Sequence, residues 1–301
     1  FVFRDVTVEG SMLADTSAFR FDVVERDSHG LVEHIVLNDG SEPNSSSVGI
    51  YVGSDHAGLL TFRNCEVANF PNNGLYASSP GREDALAGAN GPVQVEGGLY
   101  KNNNIANVRL GSNGSYVRNA TIVVDEVPPA LDGTVNARGI RFRARGGHLV
   151  ENCDVRITHP DVQSFGGVVV HRASRNVRVR NTAITVESES VPAINVLAPD
   201  EGGSSSAFEN VTITGSAANG DAVRVMERDG TSFQRCTIEQ PGDSRNGIRF
   251  DRSSECSIHD STISATAEPI VAVDSSVTTT NTRLTDLDES DSGERSDDGL
   301  I

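Results

Sequence analysis

Residues 116–122, YVRNATI, decide how this chain folds. Apolar and polar residues alternate on both sides of Asn119, as they do in a strand with one buried face. The asparagine suits a one-residue corner, because its short amide side chain tolerates the left-handed backbone conformation. The same pattern, x-Φ-x-N-x-x-Φ with Φ apolar, returns as VFRDVTV (2–8), TFRNCEV (61–67), LVENCDV (149–155), RVRNTAI (178–184), AFENVTI (207–213), SFQRCTI (232–238), SIHDSTI (257–263) and TTTNTRL (278–284). Weaker copies surround His34 and Gly97. The shared polar position reads Asp5, His34, Asn64, Gly97, Asn119, Asn152, Asn181, Asn210, Arg235, Asp260 and Asn281, at spacings of roughly 20 to 35 residues, the period of a solenoid.

A second motif, G-Φ-x-Φ, follows each corner: AFRF (18–21), GIYV (49–52), GLYA (74–77), NVRL (107–110), GIRF (139–142), GVVV (167–170), AINV (193–196), AVRV (222–225), GIRF (247–250) and PIVAV (269–273). Each repeat thus carries three short strands. The expected fold is all-β: a single-stranded, right-handed parallel β-helix of about eleven coils, one per corner, with the corner amides stacked in a continuous ladder.

An Asn corner between two strands, with a third strand opening at Gly, resembles the pectate-lyase-like superfamily of parallel β-helices over residues 1–285. The resemblance implies that G-Φ-x-Φ is the first strand of each coil and that the longest loops join third strands to first strands. Segments 11–18, 38–47 and 125–138 fit that corner, whereas SSPGREDALAGANG (78–91) is an insertion after a first strand. The family includes lyases, hydrolases, epimerases, esterases, phage tailspikes and adhesins, so it implies fold more narrowly than function. Residues 286–301 lose the pattern and read as an acidic tail or linker.

The net charge of −17 disfavours nucleic acid and anionic membranes as partners, and no apolar run is long enough for membrane insertion. Lys101 is the only lysine; this acidic, lysine-poor composition resembles that of proteins from halophilic archaea or their viruses. Cys65, Cys153, Cys236 and Cys256 lack C-x-x-C spacing and are expected to be buried thiols, the first three facing inward just after a corner. Phe1 stands inside a strand pattern, so the chain reads as a piece of a longer, exported protein. Neither end carries an amphipathic cap, so flanking domains or further subunits are expected to cover the ends.

If the apolar residues of G-Φ-x-Φ point inward, the residue between them points out. Stacking then builds one row: Arg20, Tyr51, Tyr76, Arg109, Arg141, Val169, Asn195, Arg224, Arg249 and Val271, with Asp22, Arg143, His171 and Asp251 flanking it. Arginine forks suit carboxylate or sulfate groups, and tyrosine faces suit sugar rings. In the related enzymes this face carries the substrate.

Tyr51, Tyr76, Arg109, Asn195, Arg224 and Arg249 are therefore the expected substrate-binding residues, and Arg141, Arg143 and His171 the expected catalytic ones, with His171 in proton transfer. Asp55, Glu83 and Asp84 are the acids available, and His56 a weaker proton-transfer candidate; the remaining histidines read as turn or surface residues. The motif set of polygalacturonases (N-x-D, D-D, G-H-G, R-x-K) is missing, as is a row of acids on adjacent first strands, so no motif assigns a lyase or a hydrolase. No cofactor or metal ligand set is specified; calcium fits a lyase only. Two readings stay open. One is an extracellular, cell-surface or virion-surface β-helix that binds an acidic polysaccharide or cell-surface glycan, with polysaccharide lyase or glycoside hydrolase activity undecided. The other is a non-catalytic structural or adhesion rod, tailspike-like or associated with a surface layer, in which the arginines are already paired with local carboxylates.

Overall fold

The computed structural model describes residues 1–12, 15–201 and 205–287. Each of the eleven corner residues, from Asp5 (φ 58°) to Asn281 (φ 48°), holds a positive φ, so the chain bends within one residue between second and third strands. The result is a parallel β-solenoid of the right-handed type with almost no helix. Ten first strands form one parallel sheet, each paired only with its neighbours above and below, and the second and third strands form an 18-stranded sheet around the remaining sides. In Arg178–Val186 and Ala207–Thr214 the second and third strands form one unbroken strand that bends at Asn181 and Asn210.

About nine turns are present where eleven coils were expected. The expectation counted corners, but Asp5 precedes the first strand of the ten-stranded sheet and Asn281 follows the last. The final strand, Arg283–Asp286, takes in the first residue of the expected acidic tail, and residues 288–301 of that tail lie outside the described residues. The corner ladder is also less continuous than expected. Amide bonds join Asn152 to Asn119 (3.3 Å), Asn210 to Asn181 (2.9 Å) and Asn281 to Asp260 (2.7 Å), but Gly97 and Arg235 interrupt the row.

Inside, identical registers stack like on like. One third-strand row runs Val67, Tyr100, Ile122, Val155, Ile184, Ile213, Ile238, Ile263, Leu284, and all but the last are buried. Such rows bury a continuous column built mainly of aliphatic residues, with Tyr100 the one aromatic member here. Cys65, Cys153 and Cys236 face inward as expected, and all four thiols are free and buried.

Outside, the second strands carry charge in strict alternation: Arg4, Glu33, Arg63, Glu96, Arg118, Glu151 and Arg180, ending at Glu209. Arg63 sits between Glu33 and Glu96 (3.3 Å to each), and Glu151 between Arg118 (2.9 Å) and Arg180 (2.6 Å). Arg63, Arg118 and Arg180 thus each meet a carboxylate on a neighbouring coil and avoid stacking on another arginine, the cross-strand arrangement that stabilises a sheet.

Two arginines lie wholly inside and were not anticipated. Arg245 donates to Gln240 Oε1 (3.0 Å), Asn219 O (2.7 Å) and Val191 O (2.6 Å). Arg228 donates to Leu197 O (2.9 Å), Ser174 O (2.8 Å) and His171 O (3.2 Å). Each ties the loop ends of successive coils together and satisfies carbonyls that would otherwise be buried unpaired. Burial lowers the pKa of each to about 10, so both stay charged at neutral pH. We expect Arg245→Met to cost about 3 kcal/mol of stability, because three acceptors lose their donor. A denaturant titration with an unchanged midpoint would show that this buried fork is dispensable.

Candidate functional site

Backbone pairing places all ten expected outward residues in one register row, from Arg20 opposite Tyr51 through Arg109 opposite Arg141 to Arg249 opposite Val271. The row is not one uniform strip, however, and its side chains divide it into distinct zones.

At the first turns the arginine and the tyrosines pair among themselves. Arg20 is bound to Asp22 (2.7 Å) and lies 5.6 Å from the Tyr51 ring centroid. Tyr51 meets Tyr76 edge to face at 5.4 Å and donates to Ser79 Oγ at 3.2 Å. The guanidinium of Arg109 covers a Tyr76 face at 4.3 Å. Arg109 thus covers one face of Tyr76 and the two tyrosine rings pack on each other, while Tyr76 still lines the neighbouring cleft.

Near the last turns the row is neutralised. The Asp221 carboxylate accepts from Arg224 Nε (2.9 Å), Arg249 Nε (3.1 Å) and Asn246 Nδ2 (2.8 Å). Burial works against its ionisation, but these donors outweigh that and hold it below the usual carboxylate range. In between, Val169 and Asn195 occupy outward positions yet are buried, Asn195 against the segment 163–166 with its Nδ2 bound to Phe165 O at 2.9 Å. Asn195, Arg224 and Arg249 are thus set apart from the rest of the expected site.

What remains is a cationic centre on two adjacent coils. Arg109 and Arg141 are stacked rung on rung, and Arg143 lies two residues beyond Arg141 on the same face. Arg138, buried just before the strand, joins them, unnoticed in the sequence because no repeat position marks it. Among the described residues none of these four forms an ion pair with a carboxylate, and the Nε atoms of Arg109 and Arg141 are buried without a hydrogen-bond partner. Burial, then the neighbouring guanidinium groups, lowers Arg141 to about 9 and Arg138 to about 10, and burial lowers Arg109 as well.

The insertion 78–91 builds one wall of this centre. Glu83 reaches Arg145 (3.3 Å) and Arg175 (3.2 Å) on later coils, while Arg145 Nε donates to Gly81 O (3.2 Å). With Asp200 and Ala173 opposite, the wall encloses a cleft of about 570 Å³ over Tyr76, Arg109 and Arg143. Asp84 is held by Arg82 at 2.8 Å, and Asp55 lies outside the cleft. Among the described residues no group of three or more His, Cys, Asp or Glu is placed to hold a metal ion.

His171 does meet Arg143, as expected. Arg143 Nη1 lies 3.1 Å from His171 Nδ1, and since arginine can only donate, Nδ1 accepts and the ring is neutral. Burial and four surrounding arginines push its pKa down to about 3, so the ring stays neutral and its tendency to take up a proton is reduced. Two other histidines are buried parts of the fold. His56 Nδ1 accepts from Val23 N (3.1 Å), and His148 stacks on Phe142 at 4.6 Å.

No protein-family model, curated protein or solved structure matches the chain. No helix among the described residues is long and apolar enough to cross a membrane.

Burial holds His148 at about 4, so His148 and His171 both stay neutral in the folded chain well below 6.5, where unfolded histidine takes up its proton. Their contribution to stability is complete above pH 6.5 and is lost as the pH falls toward 4 and then 3. Histidine NMR should find the His171 ring neutral until the pH approaches 3. Half-protonation near pH 6 would show that the arginines do not act on it.

Proposed function

We propose that this chain binds an acidic glycan on its first-strand face, with Arg109, Arg141 and Arg143 receiving the carboxylate or sulfate groups. The observation that carries the reading is a contrast within one molecule. On the second strands every stacked arginine from Arg63 to Arg180 meets a glutamate, and on the first strands Arg224 and Arg249 share Asp221. Among the described residues, Arg109, Arg138, Arg141 and Arg143 are packed together and partly dehydrated without an ion-paired carboxylate, although Glu83, Asp84 and Asp200 line the cleft wall and Asp84 is near enough to Arg143 for their charges to act on one another. A cluster of that kind is costly to keep and gains most from an incoming anion, since charge-assisted forks are strongest where water is excluded.

The walled cleft and the overall charge narrow the class of anion. A protein of net charge −17 repels a dense polyanion such as duplex DNA, with its charge every ~1.7 Å. A uronate or sulfated glycan spaces its charges farther apart and can meet a local cationic patch. The same reading places the chain with pectate-lyase-like β-helices at a cell or virion surface, in keeping with an acidic, halophile-like composition. Binding without turnover fits best: Glu83 and Asp84 are engaged by arginines and His171 is a weak base. Absorbance of unsaturated products, followed during the binding assay, tests the lyase alternative.

In affinity electrophoresis through polyuronate or sulfated polymer, Arg141→Gln should lose at least about tenfold in affinity, the magnitude of one buried charge-assisted contact. Arg249→Gln, remote and already neutralised, should behave as the parent. Equal retardation of the Arg141 variant and the parent would remove the reading.

A second reading, the structural rod, is favoured by the ends. Phe1 and Val2 are exposed beside the ring cluster of Phe3, Phe19 and Phe21, and Val273 and Leu284 are exposed at the last turns. Flanking domains or further copies stacked on these apolar ends would make the chain one length of a longer rod. Sedimentation velocity should then show mass rising with concentration; a constant monomer mass would count against stacking of copies.

A further inference from the structure

The cationic centre ends at segment 163–166, where one aromatic ring stands in solvent without a packing reason. Phe165 is 48% exposed and, apart from Phe1 at the first turn, is the only aromatic among the exposed large apolar residues described. Its backbone is fixed on several sides. Phe165 O accepts from Asn195 Nδ2 at 2.9 Å, Gln163 O from Ala137 N at 3.0 Å, and Gly166 O from Gly139 N at 3.2 Å. The ring lies 4.7 Å from the Arg138 guanidinium, and that group is anchored by Arg138 Nη1 donating to Ile105 O at 2.9 Å.

A phenyl ring exposed to water is normally unfavourable, and the simplest remedy would be to fold it down. Here the backbone bonds and the cation beneath hold it up. Arg138 is close enough to Arg109 and Arg141 for their charges to act on one another, so the ring adjoins the unpaired centre. Unlike Tyr76, whose face Arg109 covers, Phe165 has a side left free. Pyranose rings present an apolar C–H face that packs on aromatic carbon.

We propose that Phe165, seated on Arg138, is a second sugar subsite of the acidic-glycan site. It takes the apolar face of one pyranose while Arg141 holds the carboxylate or sulfate of an adjoining sugar. The inference rests on the glycan reading above and adds direction to it: the chain passes from the walled cleft over Arg141 to Phe165. Stacking of this kind is largely insensitive to salt, so it would retain a ligand where concentrated salt weakens the arginine contacts.

The test is titration calorimetry with uronate and sulfated oligosaccharides of increasing length, for the parent, Phe165→Ala, Phe165→Leu and Arg141→Gln. Parent affinity should rise with length until a chain spans both subsites. Phe165→Ala and Phe165→Leu, which lack the flat ring, should bind long oligomers about tenfold more weakly and short ones as the parent does, with melting temperatures near the parent's. Arg141→Gln should weaken binding at every length. Parent-like affinity of both Phe165 variants for long oligomers would overturn the subsite while leaving the glycan reading intact. Failure of the parent to bind any acidic oligomer would overturn both.

Discussion

In a stack of parallel coils, every outward side chain faces its counterpart one turn away, at the ~4.8 Å separation of paired strands. Repetition helps apolar residues, which form continuous columns, and penalises charged ones, which are pressed against their own kind. The architecture of this protein follows from how each face meets that constraint. The third strands line up Ile184, Ile213, Ile238 and Ile263 inside. The second strands alternate arginine with glutamate outside. The corner residues accept a left-handed backbone so that both patterns can share one coil.

Against that background, Arg109 directly beneath Arg141 is the exception, because the other stacked pair in the row, Arg224 and Arg249, shares the Asp221 carboxylate and this one has no such partner among the described residues. Neither propensity nor packing needs two arginines there, since Val169 and Val271 occupy equivalent rungs of the same row. The crowded cations lie where the insertion 78–91 raises one wall of a cleft. Crowded, partly buried guanidinium groups and a walled cleft thus coincide on two adjacent coils.

The repeat made the backbone legible. Corner residues, strand order and the full outward row followed from two short motifs, because in a solenoid a register error would move every apolar residue to the wrong side. The segments that fold back over the coils were not legible. Nothing in the repeats says that residues 163–166 pack against Asn195, that Asp221 turns sideways to hold Arg224 and Arg249, or that Glu83 reaches coils well beyond its own. His148 read as a surface residue because the turns around it are polar, yet its ring stacks inside on Phe142. Arg228 and Arg245 were invisible for a similar reason: arginine in a loop ordinarily means solvent, and only the fold supplies the carbonyls that draw it inward.

These long-reaching arginines change how such a rod can come apart. A solenoid whose coils touch only their neighbours can fray from either tip, one layer at a time. Here Arg228 links carbonyls of loops two coils back, Arg245 does the same across the other edge of the face, and Glu83 clasps Arg145 and Arg175 from the opposite direction. The central coils are thereby locked into a single block that must open together or stay shut. The crowded arginines of the first-strand face sit on that block, so the tips can loosen in heat or denaturant while the cleft beside Arg109 and Arg143 keeps its shape.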